Sequence, residues 1–554
     1  MKHINLITRR GFLDRSSKVG LGVFLSTLVD IPLVVKRALA EGSIGTNGKK
    51  LLFIFLRGAN DSLNSVIPMK DDAYVDSRLT IAGNPNPNFG RSTNRPDIVI
   101  PPDSLTDYTT PGACDFPVSG TGPTFGYAKG IRLGNGFAAL HPSLKFLAPV
   151  YNAGDLGLIH RVGYPKQSQS HFDSQNYWET GNPNNNLSRD GIFYRTIIES
   201  GLANTEPLTG VSIQSSLPLL LRGSAAALTN LSDVTRYDLL GVPTGASTAG
   251  TNGNLKADMA IKKANGYVFP EKLNRQLLSL QYQNLMNTLP LFEGIKTEMS
   301  VNYKDDENTD GDFPYSLFPF SNDSNGGYLR SSSPRTTDAA KYVVDTGAYS
   351  YLTSLKAAAF VLNRTNAMIA GTQLDGFDTH MQQGGVTGSH SDLQRRIGWS
   401  MYSLWKYFKA NHDKVTWDNL IVVTLSEFGR TTVQNSDMGT DHAEAGAMIL
   451  AGGGIKGYGS GSPNGTGVYN CGASDSIPWV TGPTGSMFGK SSRYLKRCTD
   501  YRSVLGEVIR KHLGATSGQL GRIIPGYVAA GENLSAGPTS LIDNTPITGE
   551  LGIL

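Results

Sequence analysis

The side chains of this sequence with the clearest chemical potential gather in three short polar segments. Asp61 lies in the first, Asp378 and His380 lie in the second, and the third contains Glu427. Carboxylates and imidazoles together suit divalent metals such as Zn²⁺, Mn²⁺, Mg²⁺ or Ca²⁺. Such a metal polarises an ester oxygen or lowers the pKa of a water molecule. The predicted metal ligands are Asp61, Asp378, His380, Glu427, Asp441 and His442.

A structural role is the alternative for each of these residues taken alone. Asp61 has the residue type of a helix or turn cap. The pairs Asp378–His380 and Asp441–His442 are each close enough in sequence to form an ordinary loop hydrogen bond. The metal hypothesis therefore depends on whether distant segments meet, and an Asp61 remote from both His380 and His442 would contradict it.

The predicted elements supply a reason for the segments to meet. Each segment follows an apolar, strand-like run: Lys50–Leu56 (KLLFIFL), Met368–Leu374 and Leu420–Leu425 (LIVVTL). Continuous apolar runs of this length indicate strands buried on both faces of a parallel sheet. Ligands of open α/β sheets bind beyond the carboxyl ends of such strands. We therefore expect the three segments to share one edge of the sheet.

Strand-like runs alternate with helical patterns, which predicts an α/β domain over residues 45–530 with a mostly parallel central sheet flanked by helices. Gly446–Ala451 (GAMILA) is predicted as a further parallel strand. Residues 225–340 contain two polar, loop-like stretches around a helical pattern, Lys272–Met299, and are interpreted as an inserted cap. Residues 531–554 are interpreted as a C-terminal tail.

The composition is that of a globular protein, with 39% apolar and 17% charged residues. The net charge of +4 arises from residues 1–40, which carry seven basic and two acidic side chains, so the remainder is close to −1. The sequence therefore gives no reason to expect a nucleic-acid partner.

The N-terminal segment is typical of a twin-arginine export signal. Arg9-Arg10 is followed by the apolar stretch Val19–Val35 and by Ala38-Leu39-Ala40, a small-residue cleavage pattern. Asp30 and Pro32 make the stretch a poor membrane span. We expect residues 1–40 to engage the twin-arginine machinery and deliver a periplasmic, extracellular or surface protein without a membrane span. A basic helix of the mature fold is the alternative, and an uncleaved segment could serve as an anchor.

The cysteines and short motifs exclude several other function classes. Three cysteines cannot all pair within one chain, and Cys471–Cys498 is the shorter of the loops that a bridge would close. The GxGxxG match at Gly452–Gly457 is followed by Tyr458 and further loop residues rather than a helix, which argues against a dinucleotide site. The chain has no GxSxG elbow of a serine esterase.

Six stretches resemble the domain-of-unknown-function 1501 family, a set of exported bacterial proteins placed with the alkaline-phosphatase/sulfatase superfamily. They occur in the order of that family and span nearly the whole predicted mature chain. The stretches are FLRGANDSLNSVIP (55–68), SHFDSQNYWETG (170–181), GFDTH (376–380), TLSEFGRT (424–431), GTDHA (439–443) and DYRSVLGEVIRKHLG (500–514).

The resemblance implies an alkaline-phosphatase-like fold and a two-metal hydrolase of phosphate or sulfate esters. It implies that Asp61 is a first-strand metal ligand and that a nucleophile lies at the start of a helix. Ser170 and His171 are the predicted catalytic residues, with Ser170 as the nucleophile and Ser62 as the second candidate. Arg57 and Arg430 are expected to hold the substrate anion, since guanidinium binds phosphate and sulfate bidentately. The alternative is that these two arginines form structural ion pairs.

One departure from the superfamily pattern leaves two hypotheses open. Phosphatases and sulfatases usually carry Asp-His after the strand that corresponds to LIVVTL, and this chain has Glu427-Phe428 there. Phe cannot bind a metal, although His442 could replace the lost imidazole. The chain is therefore predicted to be an exported metal-dependent hydrolase of phosphate or sulfate esters, with a small anionic ester as substrate, or, alternatively, a non-catalytic exported binding or surface protein that retains the fold with a degenerate metal site.

Overall fold

The structure, a computed structural model, describes residues 44–104, 107–114, 128–202, 206, 208–224, 228–236, 288, 291–310, 313–320, 344–459, 465–481, 494–527, 534–536, 540–542 and 545–554. The predicted export signal, residues 1–40, lies outside the described residues, as does most of the predicted helix Lys272–Met299. No helix among the described residues combines the length and apolar character needed to cross a membrane.

A nine-stranded sheet forms the centre of the described chain. In chain order its strands are β1 (Lys50–Leu56), β2 (Leu156–Gly163), β3 (Gly210–Ile213), β4 (Thr229–Leu231), β5 (Ile369–Leu374), β6 (Leu420–Ser426), β7 (Gly446–Ala451), β8 (Val468–Tyr469) and β9 (Thr499–Asp500). Their spatial order is β8-β2-β7-β6-β1-β5-β3-β4, with β9 paired to β2.

The strand directions confirm the predicted α/β class with a mostly parallel sheet. Strand β1 is parallel to both neighbours, β5 and β6. The register aligns Leu56 with Leu374 and with Ser426, so the three strands end side by side. The polar segments that follow β1, β5 and β6 therefore start from one edge of the sheet.

Strand β7 corrects one prediction, because it is antiparallel to both β6 and β2. A parallel return would need a crossover, usually a helix, between two neighbouring strands. The described structure has no helix in the chain between β6 and β7, which instead forms an irregular loop over residues 427–445. As a result β7 begins at the edge where β6 ends, and His442 lies close to that edge.

Helices cover both faces of the sheet because successive side chains of β1 point to opposite sides. Leu52, Ile54 and Leu56 belong to one buried cluster, whereas Leu51, Phe53 and Phe55 belong to the other. The first cluster includes helices α1 (Leu147–Asn152), α4 (Tyr349–Arg364) and α5 (Ser389–Ala410). The second includes α2 (His171–Thr180), α3 (Ile192–Ser200), α6 (Tyr501–Glu507) and α7 (Ser517–Ile523).

Shorter elements complete the described chain. A single π-helical segment, Val508–His512, continues α6. Short 3₁₀ turns occur at Ser62–Asn64, Pro142–Leu144, Leu219–Leu221, Val234–Arg236, Thr346–Ala348 and Trp417–Asn419. Two-stranded or three-stranded ribbons are formed by Val66–Ile67, Thr80–Ile81, Asn84–Pro85, Ile131–Arg132, Ala139–Leu140, Lys304–Asp310, Phe313–Ser316, Ser540–Ile542 and Thr545–Ile547.

The described parts of the two outlying regions pack on this domain. In the region interpreted as a cap, residues 291–299 are helical, and Leu317 and Phe318 are buried with α4 and α5. In the region interpreted as a tail, Ile547 and Ile553 are buried in the opposite cluster. The described parts of both regions therefore contribute to the core.

Candidate metal centre

Three histidines and one aspartate meet at the carboxyl edge of the sheet. His171 is the first residue of α2, which follows β2. Asp378 and His380 lie in the loop after β5, and His442 lies in the loop that leads into β7. Four positions spread over most of the described chain are thus brought to one place by the strand order.

Their side-chain atoms converge at the spacing of metal ligands. The Oδ1 atom of Asp378 lies 3.4 Å from His171 Nε2, 3.1 Å from His380 Nε2 and 3.6 Å from His442 Nε2. The Nε2 atoms of His380 and His442 are 2.9 Å apart. Ligands that sit about 2.0–2.1 Å from a tetrahedral Zn²⁺ are about 3.3 Å from one another. Among the described residues, His171, Asp378 and His442 have ligand atoms that all lie within 4.8 Å of one another, whereas His380 lies outside this group of three and, of its members, approaches only Asp378 and His442.

A separate acceptor orients each of the three imidazoles through its Nδ1 atom. His171 Nδ1 lies 2.9 Å from Glu427 Oε1 and His380 Nδ1 lies 3.1 Å from Asp441 Oδ1. His442 Nδ1 lies 2.7 Å from the main-chain oxygen of Gln169. Metal-binding histidines commonly donate their second nitrogen to such an acceptor, which fixes the ring and its tautomer.

This orientation gives a test of whether a metal fits. A carboxylate or carbonyl oxygen can only accept, so each Nδ1 carries the proton and the Nε2 of a neutral ring presents a lone pair. Two such lone pairs face each other between His380 and His442. His171 Nε2 is a buried atom that makes no hydrogen bond in the described structure. A cation among these atoms would satisfy them, so the donor set fits a metal.

Arg430 positions Asp378 through a charged hydrogen bond. Its guanidinium is almost fully buried, donates to Asp378 Oδ1 at 2.5 Å and also donates to the main-chain oxygens of Ala59, Phe377 and Thr440. Burial alone would raise the pKa of Asp378, but the hydrogen bond and charge of Arg430 hold that pKa below its usual value. Asp378 is therefore ionised, as a metal ligand must be.

The pKa values of His171 and His442 are shifted in opposite directions. The hydrogen bond with Glu427 raises the pKa of His171, whereas burial lowers the pKa of His442. Burial would raise the pKa of Glu427, but hydrogen bonds from His171 and Gln175 more than offset it. The ionised Glu427 therefore makes His171 the more basic imidazole, which increases its strength as a ligand.

Phe428 is the apolar floor of this site. Its ring is fully buried, with its centroid 4.8 Å from that of His171 and 4.9 Å from that of His442. Phe428 thus supports two imidazoles by packing. Glu427 and Asp441, predicted as ligands, instead contact the Nδ1 side of His171 and His380.

Asp61 does not share this cluster of atoms. Both of its oxygens accept from the buried Arg95, and Oδ2 also accepts from Gln383. Gln383 Oε1 in turn accepts from Thr379 and Thr440, which flank the site in sequence. Asp61 therefore forms a buried ion pair that supports the loops of the site: it is not a ligand, but Gln383 alone separates it from the residues next to His380 and Asp441, so it is not remote from the site.

The predicted catalytic and anion-binding residues have other partners. Ser170 is the N-cap of α2, and its Oγ accepts from Asp173 N at 3.4 Å. Ser62, the second nucleophile candidate, is buried. Arg57 forms an ion pair of 2.7 Å with Glu179 on α2. Arg57 and Arg430 thus both contact carboxylates, which matches the alternative role considered for them.

Three supporting residues were not predicted from the sequence. Gln169 supplies the main-chain acceptor for His442, and Asn435 donates to Asp441 Oδ1 and to the main-chain oxygen of His380. Gln175 donates to Glu427 Oε1 at 3.0 Å. Gln175 lies four residues after His171, so the helical i, i+4 spacing was a usable signal. Asn435 and Gln169 lie in loops and offered none.

The fold and the site together define an α/β protein with a histidine-rich constellation at the carboxyl edge of its sheet that could hold a metal. Residues 337–467 match the model of a family described as "Protein of unknown function (DUF1501)". That segment contains Asp378, His380, Glu427, Asp441 and His442 but not His171. Comparisons with curated proteins and with solved structures gave no match.

Proposed function

We propose that this protein is an exported, metal-dependent hydrolase of phosphate or sulfate esters, with His171, Asp378, His380 and His442 as the metal-binding residues. The observation that carries the proposal is the convergence of three Nε2 atoms on one carboxylate while every Nδ1 is held by an acceptor. A hydrogen bond from Arg430 accounts for the lone pair of His380 Nε2, but no donor in the described structure accounts for those of His171 and His442.

The donor set narrows the choice of metal. Three imidazole nitrogens and one carboxylate oxygen suit Zn²⁺ or Mn²⁺ better than Mg²⁺ or Ca²⁺, which prefer oxygen ligands. When bound, the metal supplies Lewis-acid polarisation of an ester oxygen and a more acidic water. The protein's own task is to fix the four ligands and to admit the substrate.

The surroundings favour an anionic substrate. The N-terminus of α2 lies at His171, and the positive end of a helix attracts anions. Arg430 Nη1 is 3.4 Å from His380 Nε2, so its charge also acts on the site. Half of the Asp378 side chain is exposed, which leaves an approach from solvent. The resemblance to the alkaline-phosphatase/sulfatase superfamily supports an ester of phosphate or sulfate.

The direct test is metal-dependent turnover. The purified protein would be stripped of metal, reloaded with Zn²⁺ or Mn²⁺ and assayed with 4-nitrophenyl phosphate and 4-nitrophenyl sulfate. We expect hydrolysis of at least one ester by the reloaded protein, its loss in His442→Ala and its retention in His412→Ala, which changes an exposed histidine elsewhere. A fully loaded protein that hydrolyses neither ester would contradict the proposal.

A second candidate is a non-catalytic protein that uses the metal as a structural clip. It is favoured by the number of ligands, because four protein ligands complete a tetrahedral site and closed sites are structural. Co²⁺ substitution separates the two functions. Inorganic phosphate should change the visible spectrum of the Co²⁺ protein if a coordination position is open, and should leave it unchanged if the site is closed.

A further inference from the structure

Large apolar side chains are exposed beside the metal ligands. Phe172 directly follows His171 and its surface is 87% exposed, and Met381 directly follows His380 and is 69% exposed. Met438, four residues before His442, is 42% exposed. Only eight large hydrophobic side chains are classed as exposed among the described residues, and these three flank three different ligands. We call Phe172, Met381 and Met438 the apolar rim.

Main-chain hydrogen bonds fix two members of the rim to each other and to the site. Gln382 N donates to Asp437 O at 2.8 Å, and Gln383 N donates to Met438 O at 3.0 Å. The next residue, Gly439, lies so close to His380 that an added Cβ would sit 2.2 Å from the His380 main-chain oxygen. The loops that carry Met381 and Met438 therefore form one wall beside His380.

The backbone of this wall is held in an uncommon conformation. Gln382 and Met438 have φ angles of 45° and 56°. Non-glycine residues rarely adopt the left-handed region, and such conformations persist where the surroundings impose them, often at functional sites. The exposed position of Met438 is thus a fixed feature of the wall.

The floor of the site is apolar as well. The buried Phe428 ring packs under His171 and His442. A ligand that entered between the rim and the metal-binding atoms would meet charge at its anionic end and apolar surface around the rest.

We propose that the apolar rim binds the aromatic group of an aryl phosphate or aryl sulfate whose anionic end faces the metal centre. This inference rests on the proposed hydrolase function and adds the class of substrate. Methionine side chains adapt to irregular apolar shapes and make favourable sulfur–aromatic contacts, and Phe172 adds a ring for stacking. Exposed apolar groups beside a polar site commonly mark a binding surface.

The test compares two esters that differ mainly in apolar area. 2-Naphthyl and phenyl esters of the same acid have leaving groups of similar acidity, so a difference in kcat/KM reports chiefly on contact with the extra ring. We expect the Zn²⁺- or Mn²⁺-loaded protein to prefer the naphthyl ester by about tenfold, as burial of about 50 Å² of additional apolar surface would give. The double variant Phe172→Ser/Met381→Gln should reduce that preference to about twofold or less.

Two controls make the result specific to the rim. Both substituted side chains are largely exposed, so the fold and the bound-metal content should be unchanged, which metal analysis and thermal unfolding would verify. Val301→Thr alters an exposed apolar residue whose main-chain oxygen contacts Lys356 on α4, away from the described contacts of the metal centre, and should keep the full naphthyl preference.

The outcomes separate this inference from the function on which it rests. Hydrolysis of both esters without a naphthyl preference, or with a preference that the double variant retains, would overturn the apolar rim but leave the hydrolase intact. If neither ester is hydrolysed, the hydrolase proposal fails, and calorimetric binding of 2-naphthyl phosphate decides the rim. Tighter binding than that of phenyl phosphate, lost in the double variant, supports it, and equal or absent binding overturns it.

Discussion

At the scale of single residues, the metal centre is organised by pairs in which one side chain binds and another orients it. His171 depends on Glu427, His380 on Asp441 and Asp378 on Arg430. Sequence reasoning identified Asp378, His380 and His442 as candidate ligands, and His171 as a catalytic group. It placed Glu427, Asp441 and Asp61 among the ligands because a sequence does not reveal whether a carboxylate faces a metal, an imidazole Nδ1 or an arginine.

The ligands themselves should control metal content. We expect His442→Ala and His380→Ala to weaken binding of Zn²⁺ or Mn²⁺ strongly, since each removes one of four converging donors. Metal bound per protein after dialysis against a competing chelator measures the effect. His412→Ala is the matched control, and retention of metal by both site variants would contradict the assigned ligand set.

Glu427, the carboxylate that orients His171, should affect metal affinity almost as strongly as the ligands do. In Glu427→Gln the ligand atoms remain, but the charge that orients and strengthens His171 is lost, so we expect metal affinity to fall by about 10–100-fold. Competition titration with a coloured chelator measures it. Glu444→Gln, a partly buried neighbour in the same loop, should stay within about twofold of the parent protein.

At the scale of elements, the strands formed by continuous apolar runs were predictable and the irregular connections were not. Strands β1, β5 and β6 were predicted with bounds within one residue, because their apolar runs are buried on both faces. The antiparallel direction of β7 was missed because an apolar run carries no sign of direction. The loops of residues 427–445 and 375–388 depend on long-range contacts that no local pattern encodes.

Gly58 links two of these elements and offers a test of their coupling. Its φ is 107°, and an added Cβ would lie 2.4 Å from Asp378 N, so Gly58→Ala adds a clash to a strained backbone. We expect a loss of about 1–3 kcal/mol in unfolding free energy together with weaker metal binding. Gly48→Ala has a similar left-handed φ of 74° but open space, and should cost less and leave metal affinity unchanged. Equal effects at the two sites would show that the contact with Asp378 is unimportant.

At the scale of the whole molecule, the sheet brings together residues that are remote in sequence. Stability and cellular location also belong to this scale. The α/β class followed from the sequence because strands and helices alternate along it. The export prediction concerns residues 1–40, which lie outside the described residues, so it stays a prediction. The packing of residues 545–554 onto the core was not predictable, because it depends on long-range contacts such as the ion pair between Glu550 and Arg510.

The free energy of unfolding should depend on pH in part because of the buried Lys145. Burial lowers the pKa of Lys145 from 10.5 to about 6, so between those values the unfolded chain binds more protons than the folded one, and stability rises with pH. Lys145→Met should flatten that rise by up to about 1.4 kcal/mol per pH unit. Urea unfolding of metal-free protein at pH 6.5 and pH 9 measures it. The exposed Lys166→Met should keep the parental slope, and an unchanged slope in Lys145→Met would contradict the prediction.

Location can be tested independently of activity. We expect Arg9→Lys/Arg10→Lys to retain an unprocessed precursor in the cytoplasm, because paired arginines are the defining feature of this type of signal. Fractionation followed by immunoblotting measures it. Arg15→Lys, a basic position outside the pair, is the control, and normal export of the double variant would count against the twin-arginine assignment.

The dispersal of His171, Asp378, His380 and His442 along the chain has a consequence for how the proposed ion would be acquired. No short peptide of this chain contains the set, so an ion can be captured only after β2, β5, β6 and β7 have assembled. A bound ion would then stabilise the assembled fold, and the free energy of unfolding would increase with the logarithm of the ion concentration above its dissociation constant. If the chain folds before it leaves the cytoplasm, the ion it carries is chosen by cytoplasmic supply, whatever the concentrations outside.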